Sequence, residues 1–545
     1  MSPVHFEVLG DETLRVSGEP TAVAVTDEYI LVSSTRFIAM RAGTRSFWSD
    51  LEYAGRHRVV VFDRTTLGRI ADVDVAGPVN SILPASDGSF ALLACGNHNN
   101  GEGYTGAILV LDLASFSWRK LVNDRREFRD LKWIGPQVAT VVASPHGDAE
   151  QHRTGWRNMS LEVPSSAQLD ADFLGELVDH GPAFPARVLP SARARRTLSE
   201  VQLLTGNDPS VRHPITDLRA DRSGAVYACG RGVVAECWSA EGALEWRVEG
   251  GTLGGQVALV GDHVLALASG RDSAWWADET TIAARLFAFT ERGVLVDAPT
   301  GFDDAPCALL LTSTSGGYLV RASAHPPYQH LPPLTWISSP EGFTVTTTLE
   351  EFRGYTDNVD FRGSEDHLIV TSPPPSTVAG RTYPLGSAPP AIWRVSAVGN
   401  VEKLFDLHPG EDSDATSPGS HGLMIRGQSV LIQSLRRFGP EVYEVLARAY
   451  PSGAVLWTTP VADACTGIAE WGEDLVAADA SGLLTGMDPE TGAVRWTHDV
   501  VWNDAPAVVT AIDACGDWLA VGISEGLVLR TRRSSNSLFA AEPPA

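Results

Sequence analysis

One short phrase recurs along this chain, and its recurrence restricts the possible folds more than any other feature. Near the C-terminus it reads Asp488-Pro489-Glu490-Thr491-Gly492-Ala493-Val494-Arg495-Trp496. Looser copies are Tyr450-Pro451-Ser452-Gly453-Ala454-Val455-Leu456-Trp457 and Ser239-Ala240-Glu241-Gly242-Ala243-Leu244-Glu245-Trp246. Each copy runs from a strand into a polar turn with glycine and leaves in alternating apolar residues, the signal of a β-hairpin. Hairpins repeated at intervals of roughly 40–55 residues mark stacked supersecondary units, since a single hairpin cannot bury its own apolar face.

Two early strands followed by the hairpin define a unit, with strands A to D counted outward from a central channel. Ten units follow in order: Thr21–Val75, Val79–Val122, one from Phe128 that is irregular after Val163, His213–Glu249, Gln256–Ala298, Ala305–Leu349, Val359–Leu407, His421–Val461, Cys465–Val500, and a last from Ala507 to about Arg530. The last shows only three strands. A closed ring needs a fourth, and Phe6-Glu7-Val8-Leu9 has the alternation to supply it beside Leu527-Val528-Leu529-Arg530. Closure removes sheet edges that otherwise invite aggregation. The expected fold is therefore all-β: a single large β-propeller over 1–545, with eight to ten four-stranded antiparallel blades closed by the two termini, in preference to the alternative of two rings.

One stretch departs from this pattern. Ser166–His180 carries Leu169, Phe173 and Leu177 at helical spacing, and Ser191–Leu204 reads as a second helix stopped by Gly206. Residues 165–206 are thus expected to form a helical insertion, either a cap on the side of the propeller or a docking element containing Arg193, Arg195 and Arg196. The Ser-, Ala- and Pro-rich tail 534–545 is expected to fray.

The hairpins resemble the quinoprotein-like repeat superfamily, whose blades carry a D-x-x-T-G-x-x-x-W phrase matched here by Asp488, Thr491, Gly492 and Trp496. Members using pyrroloquinoline quinone are secreted dehydrogenases with an adjacent cysteine pair against the cofactor. None of Cys95, Cys229, Cys237, Cys307, Cys465 and Cys515 are adjacent in this sequence, so no cofactor is expected. The chain also loosely resembles propeller components of bacterial AAA+ ATPase and von Willebrand A domain systems, a resemblance at the level of fold.

Composition sets further bounds. The net charge of −25 argues against a nucleic-acid or anionic-membrane partner, because phosphate binding needs basic surface. The N-terminus has no basic n-region or apolar core of signal-peptide length, and no apolar run approaches the roughly 20 residues that span a bilayer. Without CxxC pairs, the cysteines read as reduced, buried thiols of a cytoplasmic protein.

Trp118, Trp246, Trp457 and Trp496 recur in register and are assigned to packing between blades. Function is expected where the repeat is interrupted. Strand B meets strand C at once in Gly230-Arg231-Gly232, Ala480-Ser481-Gly482 and Ser524-Glu525-Gly526, but the same connection is enlarged in seven other units. These insertions bring Arg45, Phe47 and Trp48; Asn97 to Tyr104 with His98; His146 to Trp156; Arg271, Trp275 and Trp276; Tyr328; Arg381 and Tyr383; and Arg436 and Arg437. Equivalent connections lie on one face, and Arg, Trp and Tyr are the residue types enriched in binding hot spots. The expected role is a non-catalytic scaffold that holds a protein or peptide on this face. The alternative is a metal-assisted hydrolase or lyase using His98, His146, Asp148 and His152 at the ring mouth, although their spacing fits no strong metal motif. Glu411-Asp412-Ser413-Asp414 lacks the glycine and ligand order of a calcium loop.

Overall fold

The computed structural model describes residues 5–35 except 13, 57–99, 103–123, 126–145, 155–163, 175–183, 190–207, 209–253, 255–260, 263–268, 285–297, strand segments between 307 and 437, 442–503 and 505–533. Within them the chain is almost entirely β, with one helix, and its strands form blade-like antiparallel sheets.

Ten such sheets follow one another. Sheet 1 is Glu19–Val25, Tyr29–Thr35, His57–Asp63 and Arg69–Val75; sheet 2 is Val79–Pro84, Phe90–Asn99, Gly103–Asp112 and Trp118–Val122. Sheet 3 is Phe128–Gly135, Val138–Ala143, Arg157–Glu162 and Leu177–Pro182. Sheet 4 is Ile215–Ala220, Val226–Trp238 and Leu244–Leu253; its long middle run passes through Gly232 at φ 76°, the first part pairing inward and the second outward. Sheet 5 begins at Gly255, sheet 6 at Cys307, sheet 7 at Tyr355 and sheet 8 at Ser420; sheets 7 and 8 join through parallel pairing of Val359–Asp360 with Ser420–His421. Sheet 9 is Cys465–Trp471, Asp474–Asp479, Leu483–Met487 and Val494–Asp499. Sheet 10 is Val509–Cys515, Trp518–Ile523 and Val528–Arg532, completed by the N-terminal strand Glu7–Leu9, with Glu7 opposite Arg530 and Leu9 opposite Val528. The missing fourth strand thus comes from the segment expected to supply it.

The ten sheets divide into two compact units. In the unit made of 1–10, 38–52 and 214–545, inner strands are neighbours in the order of sheets 10, 4, 5, 6, 7, 8, 9 and back to 10. These seven sheets complete a cycle among themselves. In the unit made of 11–37 and 53–213, sheets 1, 2 and 3 stack in succession.

The three-sheet unit finishes its two ends differently. On sheet 1, Ile30, Val32, Val60 and Phe62 pack against Leu14, Val16 and Val201, the last from the helix Pro190–Thr205. Arg15–Ser17 and Ser210–Arg212, the entering and leaving segments of the unit, run parallel and paired. On sheet 3, one face packs Ala139, Val141, Met159 and Leu161 against sheet 2, whereas Asn158, Glu162 and Val178 are exposed. A largely polar outer face, interrupted here by Val178, is how a terminal repeat ends a stack in water.

The helical expectation for Ser166–His180 fails in its described part, since Leu177–Pro182 is a strand. Leu177, Val178 and Asp179 pair with Leu161, Ser160 and Met159. The edge of Arg157–Glu162 offers backbone partners that override a short helical spacing. The second helix forms as expected and stops at Gly206, φ 70°. The tail 534–545 lies outside the described residues.

The repeated hairpin acquires a physical account. In sheets 4, 8 and 9 the outer strand carries one extra residue, Glu245, Leu456 or Arg495, immediately before the tryptophan. The bulge turns the strand so that the indole faces a neighbour. Trp246 Nε1 donates to the Glu291 carbonyl of sheet 5 at 2.7 Å, and Trp457 Nε1 to the Pro489 carbonyl of sheet 9 at 3.0 Å. The receiving turn presents a glycine to the ring: a Cβ at Gly293 would lie 2.6 Å from Trp246, and one at Gly492 2.5 Å from Trp457. Phe405 meets Gly453 in the same way, and Leu9 of the N-terminal strand lies beside Gly242 of sheet 4.

Candidate binding face

One end of every sheet carries both the start of inner strand A and the connection from B to C. In five sheets strand A is bulged there by one polar residue: Thr21, Asn80, Thr216, Thr466 or Thr510. Its side chain reaches strand B. Asn80 Nδ2 donates to the Gly96 carbonyl at 2.8 Å, and Thr216, Thr466 and Thr510 Oγ1 to the carbonyls of Cys229, Ala478 and Gly522 at 3.3, 3.3 and 3.2 Å. Thr21 Oγ1 lies 2.8 Å from Ser33 Oγ. An extra residue leaves ladder groups unpaired, and these side chains satisfy them, stiffening the end from which the loops leave. Sequence reading missed this second repeat because single threonines have no periodic signature.

In the three-sheet unit this end is densely built. The expected insertion Asn97 to Tyr104 is largely a ladder: Asn97 pairs with Thr105, His98 with Tyr104 and Asn99 with Gly103. Thr105 Oγ1 donates to Asn97 Oδ1 at 2.9 Å. Beneath it Gly96 and Gly106 face each other, and a Cβ on either would lie 2.4 Å or less from a backbone oxygen. The segment Arg126–Glu127 therefore crosses directly against the hairpin. Glu127 is buried, accepts from Arg129 Nε at 2.6 Å, and its N–H donates to Ser144 Oγ at 2.9 Å. The Arg129 guanidinium lies 4.9 Å from the Trp156 ring, which meets Tyr104 edge-on at 5.7 Å. Burial, then the Glu127 charge, pushes the Tyr104 phenol up, with Arg129 opposing. Trp156 is 5% exposed, so its indole buttresses the hairpin.

In the seven-sheet unit the same end holds tight turns in sheets 9 and 10. Asp479 Oδ1 accepts from Ser481 N and Oγ and from Leu483 N at 3.0, 2.6 and 3.1 Å. Its Oδ2 is buried without a hydrogen-bond partner among the described residues, and desolvation raises its pKa above the ordinary carboxylate value. Ser524 and Glu525 are buried in the turn of sheet 10.

Arg436 and Arg437 lie in the strand Gln428–Arg437, paired with Tyr443 and Val442 on one side and with Asp412 and Glu411 on the other, where a loop was expected. Arg381 pairs with Val378 in a two-residue ladder. Arg45, Phe47, Trp48, Arg271, Trp275, Trp276, Tyr328 and Tyr383 lie outside the described residues, as do His146, Asp148 and His152; for His98 only the backbone is described.

The five described cysteines are free thiols; burial pushes Cys229, Cys237 and Cys465 up to about 12 and Cys95 further, so these four stay protonated and unreactive. Among the described residues no three His, Cys, Asp or Glu side chains are placed to hold a metal ion, and no helix is long and apolar enough to cross a membrane.

No family model matches the chain, and no curated protein matches it. Among solved structures, the computationally designed Ika8 protein is 11% identical with a TM-score of 0.38, covering 74% of this chain and 96% of its own. U3-55K is 9% identical with a TM-score of 0.43, covering 59% of this chain and 96% of its own.

Proposed function

We propose that this chain is a non-catalytic scaffold that holds a protein or peptide partner on the loop-bearing end of its sheets. The observation that carries the reading is the stiff hairpin end of sheet 2, where Tyr104, Trp156, Arg129 and Glu127 brace the ladder out to Asn99 and Gly103. Loops carried by a rigid framework lose little entropy on binding, which favours recognition at such a face. Buried, protonated thiols in the described strands fit the same reading.

The aromatic residues best suited to contact a partner are Trp275 and Trp276 in the long B-to-C connection of sheet 5. Replacing both with alanine is expected to reduce partner capture from lysate at least about tenfold, as loss of a hot-spot pair does, with the thermal midpoint unchanged. Undiminished capture of every partner by the doubly substituted protein overturns this assignment.

A further inference from the structure

The strand that completes sheet 10 has three residues, and together with Phe6 just before it contacts two neighbours. Glu7 and Leu9 turn toward sheet 4: the Glu7 carboxylate lies beside Gly242 and accepts from Arg530 Nε at 3.1 Å, and Leu9 packs with Ile215, Leu218 and Trp238. Phe6 turns the other way and packs against sheet 9, where its ring lies 5.7 Å from the His498 imidazole at an interplanar angle of 43°. We propose that Phe6 and His498 form a pH-sensitive latch, in which protonation of His498 releases the N-terminal strand from the last sheet.

His498 is half-buried, and neither ring nitrogen has a hydrogen-bond partner among the described residues. Burial holds its pKa below the ordinary imidazole value, and Asp499 beside it on the same strand acts in the opposite direction. The paired strand Leu483–Met487 contains no ionisable residue. On the N-terminal segment His5 and Glu7 flank Phe6, with the Glu7 carboxylate committed to Arg530. On sheet 10, Arg532 lies 5.4 Å from the Trp518 ring. Among the described residues, then, Asp499 is the only charge that favours the imidazolium.

A charged ring in this setting is half-covered and has no acceptor among the described residues. The tilted Phe6 face offers only weak cation–π attraction. Withdrawing Phe6 exposes the imidazolium further to water, and the strand it anchors is paired over only three residues. Because the folded pKa is depressed, this contact contributes fully above the unfolded histidine value of about 6.5 and is lost as pH falls through the depressed value.

The test is amide hydrogen exchange on the full chain at about pH 7.5 and about pH 5.5, corrected for intrinsic rate, with the strand Trp518–Ile523 as internal reference. In the wild type, protection of residues 6–9 is expected to fall at least about fivefold on acidification relative to that reference. In His498→Phe, which keeps an aromatic contact but does not titrate, the fall is expected to disappear. His498→Gln serves the same purpose should the phenylalanine variant not fold. Equal protection at both pH values in the wild type, or the same loss in the non-titrating variants, overturns the proposal.

Discussion

At the scale of single residues, most of the repeated phrase is explained by how two sheets touch. Asp488 Oδ1 accepts from the N–H groups of Glu490 and Thr491 at 2.8 and 3.1 Å, which fixes the turn. Burial pushes this carboxyl up, but those bonds and Arg495 outweigh it and hold its pKa low. Gly492, at φ 71°, then meets the Trp457 ring, and its carbonyl accepts from Thr459 Oγ1 at 2.6 Å. Two separate costs follow for a side chain here: left-handed backbone, about 1–2 kcal/mol, and overpacking against an indole, about 1–3 kcal/mol. Gly516, at φ 62°, isolates the first cost, because a Cβ there meets nothing within 4 Å. Urea unfolding is therefore expected to show Gly492→Ala destabilised by about 2–5 kcal/mol and Gly516→Ala by about 1–2 kcal/mol. Equal losses mean that the Trp457 contact adds nothing.

At the scale of elements, Arg530 concentrates the closure of sheet 10 in one side chain. Its guanidinium, 1% exposed, contacts Glu7 and donates to the carbonyls of Gly224, Ser239 and Ala240 at 2.5, 2.8 and 2.9 Å, with the Trp518 ring 4.9 Å away. Arg530→Met keeps the bulk but leaves buried carbonyls unsatisfied. An expected loss of about 3–5 kcal/mol follows, together with early exchange of the amides of residues 7–9, read by denaturant titration and hydrogen exchange. A variant with unaltered stability removes Arg530 from the closure. The closing strand was legible in the sequence because Phe6 to Leu9 alternate and the last unit lacked a strand. The hairpin tryptophans were legible because their turn chemistry is local. The bulges at Thr216 and Thr510, the facing pair Gly96 and Gly106, and the strand at Leu177–Pro182 were not, because each depends on a partner far away in sequence. The same holds for Arg436 and Arg437, whose turn-like text gave no sign that Glu411 and Asp412 pair beside them.

At the scale of the whole molecule, ten similar repeats do not say which of them belong together; only contacts between sheets do. Seven sheets complete a cycle, and three form a stack covered by a helix at one end and by a polar face at the other. Each unit thus buries its own apolar surface, which predicts two unfolding transitions where a single cooperative ring gives one. Charge identifies them. Residues 11–37 and 53–213 hold 19 Lys and Arg against 23 Asp and Glu, a net of −4, so the seven-sheet unit carries −21 of the total −25. Self-repulsion of that size destabilises a compact unit and is screened by salt, with a Debye length of about 10 Å at 0.1 M. Calorimetry in increasing sodium chloride is expected to raise the transition of the seven-sheet unit by several degrees more than that of the three-sheet unit. Excision provides the assignment: Leu9 and Ile215 share one cluster, so joining Gly10 to Pro214 through a short linker, which also removes 38–52, should keep the closing strand within reach of sheet 10. The shortened chain is expected to retain only the salt-sensitive transition. A single transition in the full chain, or an excised chain that does not fold in high salt, shows that the ten sheets are stable only together.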